Sequence, residues 1–152
     1  MKNYAIEQPA PQEFPALTAL WERSVRKTHH FLQEQDLIFY RHKIYHEYLH
    51  AVILYCIRGP EKNAIGFIGI DDHEISMLFV DPEYFSCGIG TALVDFAIKT
   101  KHIDTVEVNA DNTGALKFYQ KMGFTIVSHQ PLDAMGKPYP ILTMKLAEKH
   151  GQ

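Results

Sequence analysis

The stretch Val80-Asp81-Pro82-Glu83-Tyr84-Phe85-Ser86-Cys87-Gly88-Ile89-Gly90-Thr91-Ala92 constrains this chain more than any other. An apolar, strand-like run from Ile75 to Val80 stops at Asp81-Pro82, and a short loop leads through Gly88 and Gly90 into an amphipathic helix. Glycines let backbone come close to a ligand, and the first-turn N–H groups of a helix have no partner inside it. A strand feeding such a loop is therefore a way to build an anion site. The glycine pair alone is a weak signal. It is not a Walker loop, because no Gly-Lys-Ser/Thr follows, and it lacks the third glycine of the dinucleotide fingerprint.

The 152 residues predict a single domain, 1–152, long enough to bury a core of its own. A formal charge of −3 argues against a nucleic-acid partner, which favours a basic excess. Cys56 and Cys87 make no disulfide framework and suit a reducing compartment. No apolar run approaches a membrane span and the N-terminus lacks a basic-then-apolar signal pattern, so a cytoplasmic protein without a membrane partner is expected.

Tyr4 and Ile6 alternate as a first edge strand within residues 1–9. A helix opens at Pro11, with Phe14, Leu17, Leu20, Trp21 and Val25 at helical spacing. Residues 28–32 break the pattern before a second helix over about 33–50. On it Leu37, Ile38, Tyr40, Ile44, Tyr45, Tyr48 and Leu49 gather on one side. His42, His46 and His50 fall opposite, beside Phe39 and Lys43, and read as a solvated face. Two His at this spacing can ligate zinc, but neither Cys nor acid completes a set, so no metal is expected. Arg41 lies within the apolar side, where it snorkels or looks into a substrate cleft.

Residues 51–57, 64–70 and 74–80 read as three strands joined by polar turns, an antiparallel meander. A helix over 88–101 follows, with Ile89, Ala92, Leu93, Phe96 and Ala97 on one face, and then a strand over 104–109. Asp111 or Asn112 caps a helix that ends at Gly123 in the C′ position, and strands over 124–128 and 140–146 close the chain. The order β-α-α-β-β-β-α-β-α-β-β mixes hairpins with crossovers, which predicts an α+β domain with a mixed sheet.

The element order, the glycine loop and the run Asn109-x-x-Asn112-x-x-Ala115-x-x-x-Tyr119-x-Lys121-x-Gly123-Phe124 together resemble the GNAT superfamily of acyl-CoA N-acyltransferases. The resemblance covers nearly the whole chain and is firmest from Gly66 to Phe124. It implies a central twisted sheet flanked by helices and acetyl-CoA as co-substrate. The pantetheine arm would meet the backbone of Leu78, Phe79 and Val80 as an added strand does. The pyrophosphate would rest on N–H groups of Ser86, Cys87, Gly88, Ile89, Gly90 and Thr91, aided by the helix dipole. The family's Arg or Gln three residues before the first glycine is Phe85 here.

Tyr119 is, on this resemblance, the general acid that protonates the departing CoA thiolate; its plain alternative is packing with a satisfied hydroxyl. Asn112 would cap its helix and meet the cofactor. Asn109 serves turn chemistry or contacts the reacting groups. For the base, Glu74 shares a strand face with Ser76, Leu78 and Val80, and His29 and His30 lie in a loop that borders the acceptor site in this superfamily. A water chain with no side-chain owner is the other possibility. Thr28-His29-x-Phe31-Leu32 and Gly136-Lys137-Pro138-Tyr139-Pro140 resemble a bacterial subgroup of small GNAT proteins, which adds Tyr139 to His29, His30 and Arg41 as acceptor-shaping residues.

The leading expectation is an N-acetyltransferase moving acetyl from acetyl-CoA to a primary amine, small-molecule or peptide, by direct transfer in a ternary complex. A covalent route through Cys87 is poorly placed, since that cysteine faces phosphate. Phe85 motivates the alternative of a CoA-binding sensor with little catalysis, and the helix histidines a metal-dependent reading. A monomer or a homodimer is equally compatible with the sequence.

Overall fold

The computed structural model describes residues 3–147, which fall into two compact units, one ending at Ile103 and the other beginning at Asp104. Both are built from helices packed on antiparallel strands, as the α+β expectation requires.

In the first unit a short 3-10 turn, Pro11–Glu13, runs into α1, Phe14–Thr28. All five residues of its expected apolar stripe are buried. They share a core with Leu37, Ile44, Leu49, Leu54, Cys56 and Phe67. α2, Glu34–Lys43, continues through a π turn, Ile44–Tyr48, into a closing turn, α3, Leu49–Ala51. The expected helix is thus present but not uniform. In the π turn the Leu49 N–H reaches the Ile44 carbonyl, five residues back, so Ile44 and Leu49 both meet the core. Ile38 and Tyr45, expected on the apolar side, are instead exposed. Each sits one residue past a core position, about 100° around the helix.

The meander is β1, Ile53–Arg58; β2, Ala64–Asp71; and β3, Glu74–Val80, paired antiparallel in that order. β2 is buried along all but its last residue. The expected first edge strand is reduced to one bridge, Glu7 with Cys56. The next rung would fall on Pro9, which has no N–H to give, so the ladder stops. Met1 and Lys2, also in that expected strand, lie outside the described residues. After β3 comes α4, Ile89–Lys101, seated close to β2: a Cβ at Gly66 would lie 2.6 Å from Ile89 Cγ2. Glycine at 66 therefore lets the first residue of α4 sink against the sheet.

In the second unit β4, Thr105–Asn109, precedes α5, Thr113–Lys121, then β5, Phe124–Gln130, and β6, Ile141–Leu146. β6 pairs antiparallel with both β4 and β5. Val106 and Val108 point inward and Glu107 outward, the alternation of a half-buried strand. The Asn112 carboxamide accepts from Ala115 N–H at 3.1 Å, which makes Asn112 the cap of α5. Gly123 ends that helix at φ +104, a left-handed conformation in which glycine pays no side-chain penalty.

Candidate active site

The loop between β3 and α4 is fixed at both ends and open in the middle. At its start Asp81 is buried: its N–H donates to the Ile65 carbonyl at 2.8 Å, and its carboxylate accepts from Glu83 N–H at 3.1 Å. The other carboxylate oxygen accepts from Arg23 Nη2 of α1 at 2.8 Å. Tyr84 and Phe85 close a 3-10 turn on Asp81 and Pro82. Ser86 at φ +65 and Gly88 at φ +81 then turn the chain left-handed twice, and Ala92 N–H makes the first helical bond, to Gly88 O at 3.0 Å.

Between those ends, the N–H groups of residues 86–91 donate to nothing among the described residues. Gly88 stands at the N-cap, so no side chain satisfies the first turn. The backbone itself presents a run of donors at the positive end of a helix dipole, which suits an anion and is the fit a diphosphate needs. A Cβ at Gly88 would meet nothing within 4 Å, so φ, not crowding, is what calls for glycine there. Phe85 is 37% exposed beside this run.

Along β3, Phe79 turns into the core against Trp21 and Phe67, with centroids at 6.5 and 5.8 Å. Leu78 and Val80 alternate onto the opposite face with Ser76 and the half-buried Glu74. Of the residues expected on the acceptor side, His30 is exposed and His29 is tucked in, its Nδ1 2.8 Å from Thr28 Oγ1 and its ring 5.1 Å from Phe31. Burial, with the neighbouring His30, pushes the His29 imidazole down to about 4, which leaves it neutral at pH 7 and a weak base. Arg41 is engaged within the fold: Nη1 donates to Glu22 Oε1 at 2.9 Å, and Glu22 also takes Arg26 Nε at 2.8 Å. Those bonds, Arg41 first, hold the Glu22 carboxyl below its usual range.

The second unit brings Asn109 and Asn112 together in one turn, where Asn112 N–H donates to Asn109 O at 3.0 Å. Ala110 N–H donates to Pro140 O at 2.9 Å, which sets that turn beside the segment carrying the buried Tyr139. Tyr119 is buried on α5, edge-on to Phe124 at 5.6 Å and to Phe118 at 5.0 Å. Among the described residues its hydroxyl makes no hydrogen bond. Burial pushes the phenol up, so it stays protonated at neutral pH.

His42, His46 and His50 are exposed, the first two with ring centroids 4.2 Å apart. Among the described residues no group of three or more His, Cys, Asp or Glu could hold a metal ion, and no helix is long and apolar enough to cross a membrane. Sequence reasoning missed Arg23 and Asp81 as the side chains that fix the start of this loop. Asp81 before a proline carried a legible turn signal; its partner Arg23, 58 residues away, carried none.

The model of the acetyltransferase (GNAT) domain matches residues 49–126. The peptidyl-lysine N-acetyltransferase YjaB of Escherichia coli (strain K12) is 32% identical over 143 residues, which cover 92% of this chain and 95% of that protein. The solution structure of apo-form YjaB from Escherichia coli aligns with a TM-score of 0.87 at 29% identity, over 97% of this chain and 100% of that one. PaiA N-acetyltransferase from Thermoplasma acidophilum, solved in complex with coenzyme A, aligns with a TM-score of 0.72 at 21% identity, over 95% of this chain and 99% of that one, a likeness of fold. The expected α+β fold class is borne out across the chain.

Proposed function

The chain belongs to the GNAT family of acetyltransferases, and from that premise we propose that it moves an acetyl group from acetyl-CoA directly to a primary amine. The lysine side chain of a protein is the acceptor class to try first, because that is what the Escherichia coli relative is named for. The observation that carries the reading is the run of undonated N–H groups at residues 86–91. Those amides hold the diphosphate, the backbone of Leu78, Phe79 and Val80 orders the pantetheine arm, and Asn112 adds a contact from its cap position. Residues 1–152 act as one acetyltransferase domain, since the matched segment runs through both units. Unbridged Cys56 and Cys87 agree with a reducing, cytoplasmic setting.

Acetyl-CoA supplies an activated thioester when bound. Attack by the neutral amine needs a proton removed from nitrogen and one given to the leaving sulfur. Tyr119 gives the second: its phenol keeps its proton at neutral pH and, among the described residues, has no acceptor competing for it. Glu74 is the side-chain candidate for receiving the first, directly or through water, and Asn109 orients the reacting groups. His29, neutral and tucked in, shapes the acceptor side together with His30, Arg41 and Tyr139 rather than taking the proton.

The test is thiol release from acetyl-CoA over a panel of lysine peptides and small amines. Release that depends on an amine is expected. CoA binding with no amine-dependent release would make the protein a sensor instead. Tyr119→Phe should lower kcat on the order of 100- to 10,000-fold, with KM for acetyl-CoA held. Unchanged turnover at every pH would remove Tyr119 from the mechanism.

A further inference from the structure

The Tyr4 hydroxyl donates to the Cys87 carbonyl at 2.6 Å, across 83 residues of sequence. That carbonyl and the Gly88 N–H belong to one planar trans peptide, so they point in opposite directions. Gly88 sits at φ +81, and glycine is as much at home at negative φ, so this peptide can turn over without a side-chain clash. Glycine at 88 therefore leaves two orientations of the Cys87–Gly88 peptide open. In one the Gly88 N–H faces away from Tyr4 as a member of the donor run. In the other a carbonyl oxygen takes its place and repels an anion.

We propose that Tyr4 is a positioning residue for the phosphate loop: its hydroxyl holds the Cys87 carbonyl outward and so keeps the Gly88 N–H available to the diphosphate of acetyl-CoA. This rests on reading residues 86–91 as the diphosphate site. Tyr4 is half-buried and reaches the loop from the segment that the bridge between Glu7 and Cys56 ties to β1, with hydrogen bonds of 3.1 and 2.7 Å. That segment is thus an outer brace of the loop, bound to the carbonyl that points away from the Gly88 N–H.

The test compares the native chain with Tyr4→Phe, which keeps the ring and removes the donor. CoA and pantetheine, which lacks the diphosphate, are titrated calorimetrically against both. Loss of one hydrogen bond predicts CoA binding weaker by about two- to tenfold, pantetheine binding unchanged, and kcat at saturating acetyl-CoA held. In the unliganded protein the nuclear Overhauser effect between the Cys87 Hα and the Gly88 amide proton should differ between the two, since turning the peptide over changes the distance between those protons and the variant samples both orientations. Equal CoA affinity, an equal loss for pantetheine, or an identical Cys87–Gly88 Overhauser effect would each overturn the proposal. A native chain that fails to bind CoA would instead sink the reading of the loop, and this inference with it.

Discussion

The loop between β3 and α4 and the α2 helix with its π turn invite opposite readings, and the contrast is instructive. α2 and its continuation carry the conspicuous side chains, among them Arg41, Lys43, His42 and His46. Yet the charges there are spent within the helices: Lys43 pairs with Glu47, while Arg41 reaches Glu22 of α1 and Glu34 takes Arg26 of α1, which also pairs with Glu22. The loop has plain side chains, Phe85, Ser86 and Cys87 among them, but its backbone donors from 86 to 91 are uncommitted among the described residues. On the proposed reading the anion site is made of main chain, while the showy side chains hold helices together. Changes in the helical region should move stability, and changes in the loop should move CoA affinity.

Four measurements can break or sharpen that division. The largest effect belongs to His29. Burial pushes its imidazole down to about 4 from an ordinary value of 6.5, so the unfolded imidazole takes a proton that the folded one refuses. The stability involved is fully present above about pH 6.5 and is lost as pH falls toward 4. A His29→Gln chain should show less of that fall, by about 2 kcal/mol between pH 7 and pH 4 in urea unfolding. Parallel curves for the two chains would place His29 outside the fold's acid response.

Gly88→Val comes next. A β-branched residue at φ +81 faces a left-handed penalty of about 1–2 kcal/mol, so CoA should bind roughly 5- to 30-fold more weakly. A native-like affinity would mean that the loop's left-handed turn does not shape the site. Phe85→Arg is the gain-of-function counterpart. A guanidinium beside the donor run should tighten CoA by about 1 kcal/mol at low salt, and the gain should fade at 1 M salt as screening grows. No salt-dependent gain would mean that position 85 does not face the phosphates. The smallest effect is expected from His42→Ala with His46→Ala, within about 0.5 kcal/mol in stability and none in CoA affinity. A large drop in either would give the histidine face a role that the division denies it.

What the sequence revealed follows the range of the forces involved. The five-residue stripe of α1, the limits of β3, the Asn112 cap and the Gly123 stop are local signals, and each appears where the spacing put it. The meander strands moved by one or two residues at their ends, as fraying ends do. The first strand was misread because alternation at Tyr4 and Ile6 said nothing about Pro9 stopping the ladder. The π turn was invisible because a single wide turn barely disturbs an apolar period. The braces of the loop, Tyr4 on Cys87 and Arg23 on Asp81, join residues 83 and 58 apart, and no local pattern announces such pairs.

The central claim, that main-chain N–H groups hold the cofactor's diphosphate, can be read amide by amide. In a nitrogen-15 titration of the native chain with CoA, the amide protons of residues 86–91 should move furthest downfield, and pantetheine should leave them nearly in place. CoA that binds while those six resonances stay still, with the large shifts elsewhere, would contradict the account.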